Sequence, residues 1–212
     1  MCEHPDCITF TPDPNDPQYT QMLLVQCTTA ALQALRLLRN GWTQATQGIT
    51  NDVADRYGFA GITRMVWVYA NAIALLPAPQ NPPRMSLALQ KMAEEMADKM
   101  EEVPLGFVSR VINLEDQLDA ARTELLGLAK AGSYDRFADR LDEITDADMI
   151  TTPLVTTLTL SATAHLANTA EDTPTACMDQ FLTACQNGLS QQPADEDEKA
   201  MRAAINSIFG TK

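Results

Sequence analysis

The N-terminal run CEHPDC puts Cys2, His4 and Cys7 within six residues. Thiolate and imidazole are the donors zinc prefers, and a structural zinc site takes four. Three are present here, and Cys27 could fold back as the fourth. The C-x-H-x-x-C spacing is none of the standard zinc-finger pairings. The competing expectation is therefore an extended arm with incidental thiols.

A second constellation is acidic. Glu94, Glu95, Asp98, Glu101 and Glu102 precede Glu115, Asp116 and Asp119 on the next helical segment. Spaced carboxylates on helices can hold Mg²⁺ against a nucleotide or diphosphate, because hard oxygen ligands suit that ion. In acidic composition, though not in motif, these helices resemble the all-α nucleotide pyrophosphohydrolases. Helical phase argues against a metal cage. At about 100° per residue, the acids of 94–102 centre roughly 160–200° from the apolar stripe of the same segment, and so face water. A third set, Asp135, Asp139, Asp142 and Asp146, follows a 4-3-4 spacing like that of DxxxD diphosphate sites. Arg136 and Arg140 on the same helix are expected to neutralise part of that face.

Nucleophilic chemistry has little to draw on. The chain holds two histidines and five cysteines. His165 falls on an apolar helix face, and Cys27, Cys177 and Cys185 read as small buried hydrophobes rather than activated thiols. A Cys177 or Cys185 pair with His165 would need the last helices to pack face to face. The sequence contains no phosphate loop, GxGxxG, GxSxG or HExxH.

The elements that must position these residues are helices. Pro5, Pro12, Pro14 and Pro17 mark residues 1–16 as an extended arm. Asp16-Pro17 then reads as a cap and first turn, and Asn40-Gly41 as a stop. Met22, Val25, Leu32, Leu35 and Leu38 mark the buried face between them. A helix over 43–57 is expected to turn Ala45, Ile49, Val53 and Tyr57 inward. Gly58 and Gly61 separate it from a third over about 61–76, apolar nearly all round and so destined for the centre of a bundle. The stretch PAPQNPP (77–83) either divides a three-helix unit, 17–76, from a bundle, 84–210, or is a stiff loop within one domain of 17–210.

Beyond it, Met85, Leu89, Met92, Met96 and Met100 form one stripe. Phe107, Val111, Leu114, Leu118, Ala121, Leu125 and Leu128 repeat at heptad spacing in a helix of about 104–131. Ser133 opens a helix with Tyr134, Phe137, Leu141 and Ile144 inward. The run LVTTLTLSATAHL after Thr152-Pro153 has the threonine content of a strand. Leu154, Leu158, Ala162 and His165 nevertheless fit one helix face, and a helix is expected. Thr173-Pro174 starts another, and 193–210 makes the last. The class is all-α, a multi-helix bundle of about nine helices.

Length and charge bound the function. The 212 residues can bury a sizeable core without disulfide or metal support. The net charge of -13 lacks the basic footprint of direct nucleic-acid binding. Residues 81–150 carry 15 acids against 8 bases, so about half of the excess sits there. No secretory signal or bilayer-length apolar run is present, and five cysteines make no disulfide framework, so a cytoplasmic protein is expected.

The expected function is a non-catalytic one: an adaptor, scaffold or regulator acting through protein–protein interaction. A basic partner or a second copy of the chain would dock on the 85–130 helices. Met85, Met92, Met96 and Met100 offer an adaptable surface for it, although at helical spacing they also suit a core. The alternatives are a Mg²⁺-dependent hydrolase of nucleotides or diphosphates, and an acidic inhibitor that imitates nucleic acid.

Overall fold

The computed structural model describes residues 18–81, 115–145, 151–169 and 175–186. Among the described residues there are six helices and no strand. They are α1 (Tyr19–Arg39), α2 (Thr43–Leu75), α3 (Glu115–Lys130), α4 (Tyr134–Thr145), α5 (Thr151–Asn168) and α6 (Thr175–Gln186). The arm 1–16, the methionine stripe, the heptad positions Phe107, Val111 and Leu114, and the helix expected over 193–210 lie outside the described residues. The expected nine helices and the full 104–131 helix therefore reduce here to six helices, with α3 described from Glu115.

α2 organises the bundle, because all five other helices pack against it. Its second half explains why. Every residue from Thr63 to Ile73 is buried, on all sides of the helix. A helix without a wet face must be enclosed. α1, α3, α4, α5 and α6 supply the enclosure, and residues from all six helices join one apolar core. That core is shared by helices before and after the 77–83 stretch.

The two helices expected over 43–57 and 61–76 form one element broken at Gly58. Its φ of 59° and ψ of -145° interrupt the helix, in a region open to glycine alone. The break brings the preceding turn close to Gly61, where an added Cβ would lie 2.7 Å from both Tyr57 Cβ and Val53 Cγ1. Gly61 thus sits inside the helix as a close-approach residue instead of separating two helices. α2 ends where Leu76 turns extended (ψ 156°) ahead of Pro77, as the residue before a proline prefers.

The stops at Gly41 and Gly132 share one hydrogen-bond pattern. Trp42 N–H donates to Leu37 O and Gly41 N–H to Leu38 O; Ser133 N–H donates to Leu128 O and Gly132 N–H to Ala129 O. Each pair satisfies carbonyls that a helix end would otherwise leave bare.

The threonine-rich run is helical, as α5. Its hydroxyls bond back into their own helix: Thr159 to Val155 O at 2.7 Å, Thr163 to Thr159 O at 2.8 Å, Thr157 to Leu154 O at 2.9 Å. This internal satisfaction lets β-branched residues occupy a helix that packs on three neighbours. Leu154, Leu158, Ala162 and His165 all face inward as expected, and so do Phe137, Leu141 and Ile144 of α4. In α3 the heptad residues Leu118, Ala121 and Leu125 are buried in the chain's own core, with Leu128 partly buried.

The inward face of α1 is rotated from expectation. Leu23, Leu24, Cys27, Thr28, Ala31 and Ala34 join Leu32 and Leu35 inside, while Met22 and Val25 are only partly buried. On the first half of α2, Thr46 is buried and Ala45 exposed.

Two glycine substitutions separate close approach from simple helix propensity. Gly61→Ala should lower the unfolding free energy by about 1–3 kcal/mol through overpacking against Val53 and Tyr57. Gly48→Ala meets nothing within 4 Å, and should stabilise by up to about 1 kcal/mol. Urea denaturation of both variants checks this; equal effects would contradict the packing at Gly61.

Candidate functional site

The described acids lie on the surface. Asp135, Asp139, Asp142 and Glu143 are exposed on α4, opposite Phe137, Leu141 and Ile144. Arg140 does not neutralise the aspartates as expected. Its Nε donates to Glu124 on α3 and its Nη1 to Glu143, both at 2.9 Å. The guanidinium thus spans the α3–α4 seam, because the neighbouring helix offers a carboxylate on that side. Asp135, Asp139 and Asp142 are left with no ion pair among the described residues. On α3, Asp119 pairs with Arg122 at 3.3 Å.

No group of three His, Cys, Asp or Glu that could hold a metal occurs among the described residues. The described carboxylates of α3 and α4 fan outward, the opposite of the convergence a Mg²⁺ site needs. Glu94, Glu95, Asp98, Glu101, Glu102 and Asp146 lie outside the described residues, as do Met85, Met92, Met96 and Met100. Cys2, His4 and Cys7 lie outside them too. Their suggested fourth partner, Cys27, is fully buried in the core, and burial pushes its thiol up to about 12. A thiol held protonated in this way is a poor zinc ligand.

Among the described residues, large apolar side chains are almost all inside. The exceptions are Phe59 and Trp42, and Trp42 is 63% exposed. Trp42 stands at the α1–α2 turn beside an open concavity of about 380 Å³ lined by Gly41, Trp42, Thr43, Gln44 and Ala45. Its backbone is fixed by its N–H bond to Leu37 O. An exposed tryptophan on a rigid turn is the kind of anchor interfaces favour.

The interior holds a polar centre. Arg64 is fully buried one turn before Trp67 on α2. Its Nε donates to Thr28 Oγ1 of α1 at 3.1 Å, and its guanidinium lies 5.2 Å from the centroid of the Tyr134 ring. Burial lowers the guanidinium to about 10, so it stays charged at neutral pH. Trp67 meets Tyr134 and Phe137 edge-to-face at 5.4 and 5.1 Å. Its Nε1–H donates to Ala184 O of α6 at 3.2 Å. Asn71 follows on the same face, its Nδ2 donating to Trp67 O. One face of α2 thus ties α1, α4 and α6 together. The cation–π and edge-to-face contacts are directional, which adds specificity that area burial alone lacks.

This centre does not arm a nucleophile. Cys27 and Cys185 both feel the Arg64 charge, yet desolvation outweighs it and raises each thiol to about 12. The suggested Cys185–His165 pair is not formed: His165 Nδ1 bonds Leu76 O at 3.2 Å instead. Sequence reading missed Arg64 and Trp42. The signal for Arg64 was its place at the edge of a helix with no polar face to put it on. For Trp42 it was an aromatic immediately after an Asn-Gly stop.

Alkylation checks the thiol environment. Brief treatment of the native protein with iodoacetamide near pH 8, followed by peptide mapping, should leave Cys27 and Cys185 unmodified, and denaturant should expose both. Labelling of either in the native state at the rate of a free thiol would contradict their burial. No family model, curated protein sequence or solved structure matches the chain.

Proposed function

We propose that the chain is a non-catalytic binding protein, an adaptor, scaffold or regulator that docks a basic protein partner on its acidic outer face. One observation carries this reading: Asp135, Asp139 and Asp142 stand exposed on α4 with no ion pair among the described residues, while Arg140 is drawn to Glu124 and Glu143. Unpaired exposed carboxylates create a field that speeds encounter with positive surfaces and selects against negative ones. The methionine stripe Met85, Met92, Met96 and Met100 belongs to the same proposal, as its apolar component, and self-association through it is the variant with a second copy as partner. The outward direction of the described carboxylates favours binding over Mg²⁺-dependent hydrolysis. An imitation of nucleic acid would require a longer track, since these three residues span only about 10 Å along the helix.

Comparing captures by the wild-type chain and by the triple variant Asp135→Asn, Asp139→Asn, Asp142→Asn tests the proposal. Basic proteins retained by the wild type should bind the variant at least about tenfold more weakly, and both should weaken as salt rises. The substitutions lie on an exposed face, so helix content should not change. Captured partners indifferent to both salt and the variant would end the reading.

A further inference from the structure

We propose that the N-terminal arm of this chain folds back along α1 and docks its segment Glu3-His4-Pro5-Asp6 on the α1–α2 turn, covering Trp42. The described helices leave Trp42 63% exposed, beside a concavity of about 380 Å³. The platform is rigid. Trp42 N–H donates to Leu37 O, and Trp42 O accepts from the N–H and the hydroxyl of Thr46. The same hydroxyl lies 3.4 Å from Ala34 O, which ties the start of α2 to α1. A surface fixed in this way has little left to order when something binds it.

Charge says what kind of segment fits. From Pro17 to Asn51 the sequence holds no Asp or Glu, and its only Lys or Arg are Arg36 and Arg39. Both are exposed in the last turn of α1, just ahead of Trp42. Arg39 has no ion pair among the described residues. In a chain of net charge -13, an exposed ring with cations beside it and no acid nearby is a local reversal of sign. The arm is its complement. Residues 1–16 hold Glu3, Asp6, Asp13 and Asp16 and no Lys or Arg, and their prolines favour an extended backbone. Extended proline-bearing segments seat on exposed aromatic rings at low entropic cost.

The lengths agree. α1 has 21 residues and is therefore about 31 Å long. An extended chain rising about 3.1 Å per residue covers that distance in about ten residues. Glu3-His4-Pro5-Asp6, twelve to fifteen residues ahead of Gln18, thus reach the turn beyond the end of α1. On the way α1 exposes Gln18, Gln26 and Gln33, and no charge before its last turn. Exposed ion pairs and one ring make a weak contact between separate molecules. A tether supplies an effective concentration of roughly millimolar, which such a contact can use. A second copy would bring a further charge of -13 to the encounter, whereas the arm brings only what the chain already carries. A partner that takes Trp42 as its anchor must then displace the arm.

Paramagnetic NMR on the full chain tests the contact. A nitroxide is placed on Cys7, beside the docking segment, in a chain carrying Cys2→Ser and Cys177→Ser; Cys27 and Cys185 are buried and take no label. At low salt the label should broaden the Trp42 indole N–H and the Gly41 amide. Arg39→Glu should reduce that broadening several-fold, and so should raising the salt to about 0.5 M. Glu3→Lys with Asp6→Lys should reduce it likewise. Combining these arm substitutions with Arg39→Glu should recover broadening above that of either variant alone. A sharp Trp42 signal in the labelled chain would overturn the proposal. So would broadening indifferent to Arg39→Glu and to salt, or a combined variant without recovery. Broadening of equal strength in mixtures of labelled chain with unlabelled, isotope-enriched chain would assign the contact to a second copy and overturn docking by the chain's own arm.

Discussion

The second half of α2 cannot touch water on any side, and the arrangement of the other five helices follows from that constraint. From Thr63 to Ile73 it buries leucine-sized, aromatic and small residues around its whole circumference. At roughly 25 cal/mol per Å² of apolar surface, enclosing such a helix is a large gain. Arg64 complicates that gain. A buried cation costs several kcal/mol of lost hydration unless its surroundings replace the water. Thr28 and the Tyr134 ring are part of that replacement, and they come from α1 and α4. The charged group thus ties α1 and α4 to α2 through directional contacts, which area burial alone does not provide.

The outside of the molecule is the complement of this demand. Helices that spend one face on α2 have the other left for solvent, and α4 fills that face with aspartates. Because Arg140 reaches across to Glu124, Asp135, Asp139 and Asp142 keep no ion pair among the described residues. The binding reading rests on the contrast, among the described residues, between buried thiols held protonated at Cys27 and Cys185 and exposed aspartates without an ion pair on α4. Trp42 adds an apolar anchor at a different place, the α1–α2 turn.

Much of the helical plan was legible from periodicity. The inward sets of α4 and α5 and the heptad positions Leu118, Ala121 and Leu125 were read correctly, because large apolar residues at helical spacing have one consistent solution. The face of α1 was misjudged since half of it is made of small residues: Cys27, Thr28, Ala31 and Ala34 are weak hydrophobic signals, yet they let α2 approach closely. Gly58 marked a break correctly but not its nature, which depends on a backbone angle that no spacing encodes. The partner of Arg140 was misassigned because local i, i+3 and i, i+4 reasoning cannot see a neighbouring helix. Two of the sequence-derived candidate sets, Cys2/His4/Cys7 and Met85/Met92/Met96/Met100, fall outside the described residues. The surface site therefore rests on α4, and on a tryptophan that composition had not singled out.

Native-state hydrogen exchange across a low-denaturant series tests the organising role of α2 most directly. If the fold is built around its enclosed half, amides from Thr63 to Ile73 should be the slowest in the chain, with exchange free energies that merge with global unfolding. The amides of α4 and α5 should open at equal or lower cost. Exchange of the α2 amides through an opening smaller than that which exposes α4 or α5 would contradict it.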